Sequence, residues 1–332
     1  MVPIVDIITG GTRGLVRDAE IAYDVLKSYP NVTIHISRLR NLHLLHRRIS
    51  KTIMNLFNPK PRILVFFENL PSDWMKLSDT RILVPNQEWI RKEVAENLHK
   101  CTLIWCKTRY AETIFRERNF RTRYIGFTSA DIFMPEIKKD YGKFIHVAGR
   151  SHLKGTKAIL ELWQAHHEWP ALLVISSNKQ WKQLFPLHNV IFLPNTLSDY
   201  DLRVAMNSCG IHLCPSETEG FGHYISEALS CKAVTITANA PPMNEIVTYE
   251  TGLLALATKG EAMGFGYRFF VDKNSLEKQI GKAIEMDINS KMAMGEAARK
   301  SYESQRADFK TRLSEAMNEL IQANQKSQIN SC

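Results

Sequence analysis

Two glutamates eight residues apart bracket a glycine turn in the run from Pro215 to Leu229, PSETEGFGHYISEAL. A carboxylate accepts hydrogen bonds through both oxygens, which suits the vicinal hydroxyls of a sugar or ribose. Gly220 and Gly222, around Phe221, let the main chain come close to a ligand, and the free amides at the start of the following helix suit phosphate oxygens. The run follows an apolar strand, which sets Glu219 in a loop and Glu227 about one turn into a helix. Both can then face the carboxyl edge of a sheet, where open α/β folds bind ligands. A tight turn or a solvated glutamate explains either half alone, but not the fifteen residues together.

A second cluster, Val147 to Thr156 (VAGRSHLKGT), sits where another strand yields to a helix. Arg150 and Lys154 are fixed positive charges four residues apart, able to neutralise charge on a departing diphosphate. Surface solvation is the plain alternative for each. His152 and His223 adjoin the two clusters; a phosphate contact competes with a structural or surface role. Thr9-Gly10-Gly11-Thr12-Arg13-Gly14, after the first strand, resembles a phosphate-cradling loop but is neither a Walker A sequence nor a complete GxGxxG. Glu68-Asn69 and Asn86-Gln87-Glu88 each follow a strand, where they could orient an acceptor hydroxyl or equally cap a helix.

The elements that must position these residues alternate along the chain. Short apolar runs predict strands at Ile4–Ile8, Val32–Ile36, Ile63–Phe67, Arg81–Pro85, Thr102–Trp105 and Thr122–Ile125, with helical patterns between them that include 39–57, Ile90–Leu98 and Tyr110–Arg118. Gly126 to Gly142 interrupts the pattern and reads as a linker. The alternation resumes with strands at Phe144–Val147, Leu172–Ile175, Val190–Leu193, Ile211–Leu213 and Ala233–Thr237. Helices are expected at Thr156–His167, Tyr200–Met206 and His223–Ser230, with a last helical region from Leu276 to Ile321. Strands without polar alternation suit a parallel sheet covered on both faces, and their alternation with helices argues for doubly wound α/β domains. No repeat of about 20–50 residues is present, which excludes solenoids and propellers.

A length of 332 residues suffices for two such domains, and 44% hydrophobic with 23% charged residues excludes a wholly disordered chain. No run approaches the roughly 20 apolar residues that span a bilayer. The opening MVPIVDIITGG lacks a basic n-region, which argues against a secretory signal and for a cytoplasmic protein. The six cysteines are too few for a disulfide framework, lack zinc-ligand spacing, and read as core thiols.

The net charge of +9 is uneven, because residues 1–140 carry 23 Lys and Arg against 15 Asp and Glu and the remainder 20 against 19. No acid lies between Asp24 and Glu68. An anionic partner for the first half follows: nucleic acid, a membrane surface or a phosphorylated substrate. Over 38–57, Leu42, Leu45, Ile49, Ile53 and Leu56 form one apolar helical stripe beside Arg40, Arg47, Arg48 and Lys51. Such a helix can pack on the sheet, dock on an anionic membrane or meet nucleic-acid phosphates.

With these residues in view, the chain resembles the GT-B fold retaining glycosyltransferases of family 4. The likeness rests on Glu219-Gly220-Phe221-Gly222 followed by Glu227, on Arg150 and Lys154 in a G-R-x-x-x-K-G setting, and on the Gly10-Gly11 loop. It is strong over about 143–257 and loose over the first half. It implies two Rossmann-like doubly wound domains facing across a cleft, 1–130 on the acceptor side and 131–300 binding a nucleotide sugar. A C-terminal helix at about 300–325 would pack back on the first domain.

The resemblance implies transfer from a nucleotide-diphosphate sugar, UDP ahead of GDP, to an acceptor hydroxyl with retention, and no metal or cofactor beyond the co-substrate. Arg150 and Lys154 would hold the diphosphate, Glu219 the transferred sugar and Glu227 the ribose. Amides of Gly220, Phe221 and Gly222, with His223, would meet sugar and phosphate, and Gly10, Gly11 and Thr12 would approach from the other domain. Glu68, Asn69 and Glu88 are the acceptor-side candidates. Where the family often has two glycines before a glutamate, this chain has Ala240-Pro241-Pro242-Met243-Asn244-Glu245; the prolines remove two amide donors, which moves any contact there to Met243 or Asn244.

The acceptor stays open among a glycan, a lipid-linked glycan and a modified base in DNA. Two rivals lie outside sugar transfer. One is a non-catalytic nucleic-acid- or membrane-binding protein on this scaffold, against which the four charged residues argue. The other is a nicotinamide oxidoreductase, against which the incomplete glycine fingerprint argues.

Overall fold

The computed structural model of the chain describes residues 4–10, 12–27, 33–38, 62–194 and 197–329. Two compact units are present: the first comprises 1–127, 264–266 and 307–332, the second 128–263 and 267–306. Gly11 and the helix predicted over 39–57, which holds most of the basic stretch, lie outside the described residues.

The first unit is built on β1 (Ile4–Thr9), β2 (Thr33–Arg38), β3 (Arg62–Phe67), β4 (Thr80–Val84), β5 (Leu103–Cys106) and β6 (Thr122–Tyr124). The strands pair in parallel in the order β2-β1-β3-β4-β5-β6. β3 is buried at every position, as its unbroken apolar run requires. Arg62 is tolerated at its start because the guanidinium pairs with Asp6 of β1, itself fully buried; charges enter a core only as partners.

The helix predicted over Ile90–Leu98 is broken: 3-10 turns Gln87–Trp89 and Leu98–Lys100 flank a helical turn Lys92–Ala95. Ile90 is extended (φ −64°, ψ 106°) and interrupts it. Ile90, Val94 and Leu98 all enter the core beside Leu64 and Leu83, so their spacing reported burial without reporting continuity. Phe265, of the 264–266 segment, joins this core 5.8 Å from the Phe115 ring.

The second unit is built on β7 (Asp140–Gly149), β8 (Leu172–Ser176), β9 (Val190–Pro194), β10 (Cys209–Cys214), β11 (Val234–Asn239), β12 (Gly252–Met263) and β13 (Gly266–Val271), in the order β13-β12-β11-β10-β7-β8-β9. β7 begins inside the predicted linker, and β12 and β13 occupy a stretch for which no strand was expected. The last helical region is two helices, Lys273–Glu285 and Ile288–Ile329. Phe144, Trp163, Ile211, Val234 and Leu276 are among the core residues of this unit, each contributing roughly 1.5–3 kcal/mol through burial. Cys106, Cys209, Cys214 and Cys231 are buried free thiols, and Cys101 is half-buried and free. Among the described residues no helix is long and apolar enough to cross a membrane.

Each sheet reverses its strand order once. In the first, β1 is flanked by β2 on one side and β3 on the other; in the second, β7 leads to β8 in one direction while its neighbour β10 leads to β11 in the other. Loops that leave the two central strands diverge, and the carboxyl ends between them are where open α/β sheets take ligands.

Candidate functional site

In the second unit the loops after β7 and β10 carry both charged clusters. Lys154 Nζ donates to Glu219 Oε1, and Ser216 Oγ donates to the same oxygen at 2.6 Å. Ser216 also shares a 2.5 Å hydrogen bond with the Tyr224 hydroxyl, whose ring lies 3.7 Å beneath the Lys154 ammonium. The Lys154 and Glu219 side chains are 17% and 13% exposed, open to a ligand yet less screened than a surface pair. Burial pushes the Tyr224 phenol well above its ordinary value, so it stays protonated. Arg150 is exposed, and no described residue pairs with it.

This arrangement follows from main-chain packing. Gly155 has φ +69°, and a Cβ there would collide with the Pro215 carbonyl oxygen, so the two loops touch backbone to backbone. His146 of β7 pins the next helix, Thr156–Ala165: Nδ1 donates to Leu213 O of β10 at 2.8 Å and Nε2 accepts from Thr156 Oγ1 at 2.9 Å. Burial pushes the His146 imidazole down to about 4, which matches this neutral form. Gly222, at φ +107°, opens the helix His223–Ser230, whose first amides lie at the positive end of its dipole.

Glu227 lies on this helix and is buried, with 7% exposure. Gly220 and Phe221 are buried, and the Phe221 and His223 rings meet edge to face at 5.6 Å. His152 is exposed. The Asn244 amide donates to Ala240 O at 3.1 Å and is engaged within its own turn. Ser216 and Tyr224 were not singled out as functional; their pairing spans a loop and a helix, and no sequence period reports it.

In the first unit the loops after β1 and β3 meet directly. A Cβ on Gly10 would lie 2.5 Å from Asn69 Nδ2, and Asn69 Oδ1 accepts from Arg91. Glu68 takes a left-handed backbone (φ +67°), and its Oε2 accepts from Asn86 Nδ2 at 2.9 Å. Asn86 in turn accepts from Lys107, whose ammonium also donates to Asp18 at 2.8 Å. Burial pushes the Glu68 carboxyl up, opposed by the Asn86 hydrogen bond and the Lys107 charge. Thr12 Oγ1 accepts from the Leu15 amide as a helix cap, and Glu88 is buried. Among the described residues no three His, Cys, Asp or Glu side chains gather where they could hold a metal ion.

Residues 128–301, just over half the chain, match the family described as Glycosyl transferases group 1. None of the curated proteins matches. Sucrose-phosphate synthase of Thermosynechococcus elongatus superposes with a TM-score of 0.70 at 13% identity, over 97% of this chain and 100% of that one. HepE of Anabaena in complex with UDP superposes at 0.69 and 15% identity, over 96% and 99%. A structure described as trehalose-6-phosphate from E. coli bound with UDP-2-fluoro glucose superposes at 0.65 and 9% identity, over 96% and 98%. At such identities the likeness speaks for the fold, which is GT-B, with two Rossmann-like α/β sheets.

Proposed function

The chain belongs to the group 1 glycosyl transferases, and from that premise we propose that it moves a sugar from a nucleotide diphosphate, UDP ahead of GDP, to an acceptor hydroxyl with retention. The observation that carries this reading is the Lys154–Glu219 pair at the carboxyl ends of β7 and β10, with exposed Arg150 in the same loop as Lys154. An incoming diphosphate replaces the Glu219 carboxylate at Lys154, and Glu219, steadied by Ser216, turns to the sugar hydroxyls. The bond from the anomeric carbon to the β-phosphate oxygen then breaks, the acceptor oxygen bonds to the same face, and its proton passes to the departing phosphate oxygen. Negative charge grows on the leaving group, so the two cations act on the transition state more than on the bound donor.

Glu227 is assigned to the ribose, and the amides from Gly220 to His223 to sugar and phosphate. Glu68 and Asn69 are assigned to orienting the acceptor, a glycan or lipid-linked glycan. The excess positive charge of residues 1–140 supports an anionic acceptor or an anionic surface bearing it. A panel of UDP-, GDP-, ADP- and TDP-sugars tests the reading. One donor is expected to be turned over, and Lys154→Ala to lower turnover roughly 10²–10³-fold with the circular dichroism spectrum kept. Neither turnover nor a thermal shift with any donor would overturn it.

A further inference from the structure

β13 reaches the donor loop through the Arg268 side chain and a main-chain hydrogen bond at Phe269. Arg268 of β13 donates Nε to Glu217 Oε2 at 2.8 Å, Nη2 to the same oxygen, and Nη1 to Glu261 of β12. The main chain of Glu217 is held on both sides: its amide donates to Leu153 O at 2.9 Å, and its carbonyl accepts from the Phe269 amide at 2.7 Å. One residue thereby ties together the Lys154 loop, the Glu219 loop and β13. The Arg268 and Glu217 side chains are 26% and 18% exposed, so solvent competes only in part for the ion pair.

Besides the Lys154 contacts to Glu219 and the Tyr224 ring, the hydrogen bond from the Glu217 amide to Leu153 is what joins the two loops among the described residues. Where they touch, Gly155 offers no side chain and Pro215 only its carbonyl and ring. Displacement of the 215–219 segment would carry Glu219 away from Lys154, and a misplacement of about 1 Å can cost roughly 100-fold in rate.

We propose that Arg268 is a positioning residue, which holds Glu217 and through it fixes Lys154 and Glu219 in one arrangement for the donor. The proposal rests on the reading of this site as the nucleotide-sugar site.

The test uses the full chain and Arg268→Met, Glu217→Gln and the double variant, with UDP affinity by calorimetry and amide hydrogen exchange without ligand. Arg268→Met is expected to speed exchange at the Glu217 and Phe269 amides and to weaken UDP about tenfold. The double variant should be no worse than the more damaging single one, because the two side chains act as one unit. Arg268→Lys, which keeps the charge without the fork, should fall between. A lowered Tm with UDP affinity untouched, or effects of the two substitutions that simply add, would overturn the proposal. If the unsubstituted protein binds neither UDP nor GDP, ADP or TDP, the functional reading is what fails; unchanged exchange at Glu217 and Phe269 would still overturn the brace, and faster exchange would still support it.

Discussion

At their reversal points the two sheets share one topology and end in opposite electrostatics. In the first unit the groups beside Gly10 satisfy one another: Lys107 holds Asp18 and Asn86, Asn86 holds Glu68, and Arg91 holds Asn69. In the second, Arg150 stands exposed without a described partner, and Lys154 is held by a carboxylate that is itself a proposed ligand group. Strand order therefore decides where a ligand goes, while its charge is decided by which polar groups the loops leave open to exchange. An edge of the first kind suits a neutral hydroxyl, and one of the second kind an anion.

The largest effect expected from breaking this contrast is Lys107→Ala. It breaks the buried Lys107–Asp18 ion pair, and should lower stability by about 3–5 kcal/mol in a denaturant titration. UDP affinity of the folded fraction should hold; a loss of UDP binding as deep as that of Lys154→Ala would erase the distinction. Lys154→Ala should do the converse, lowering kcat roughly 10²–10³-fold with little change in Tm.

A third comparison uses pH. Burial pushes His146 down to about 4 and His212 down to about 3, and both lie in the second unit. Above about pH 6.5 neither is protonated in the folded or the unfolded chain. As pH falls below that, the unfolded chain binds protons the folded one refuses, so stability falls, by about 1.4 kcal/mol per unit of depression. Calorimetry should show the second unit's transition moving to lower temperature between pH 7 and 5, with the first unit's moving less. Equal movement of both would show that other groups govern acid stability. The smallest effect belongs to Glu68→Gln, which removes a half-buried charge and keeps an acceptor for Asn86; Tm should hold within about 2 °C, and a larger fall would show that the network needs the carboxylate.

Much of this was legible in the sequence, for local reasons. Buried parallel strands write themselves as short apolar runs, and a glycine turn opening a helix marks the carboxyl end of a strand, which is how the doubly wound α/β class and the candidate loops could be read, while the GT-B expectation came from the family resemblance. The meeting of Lys154 and Glu219 could not be, because it depends on β7 and β10 being neighbours across 65 residues of chain. The β12 and β13 strands escaped because Lys259-Gly260-Glu261 breaks the apolar pattern, although the aromatic run Tyr267 to Phe270 after two glycines was a usable sign. The Arg268–Glu217 link was invisible because Arg268 lies in no motif and, although Glu217 lies within the 215–229 run, the contact between them is purely spatial.

Position 155 also sets a rule for anyone who would rebuild this scaffold to accept a different donor. Three residues away, His152 points a replaceable side chain at water, and variety there meets no obstacle. At 155 even one methyl group has nowhere to go, so diversity belongs in the flanks of this loop, while its hinge against Pro215 should stay untouched.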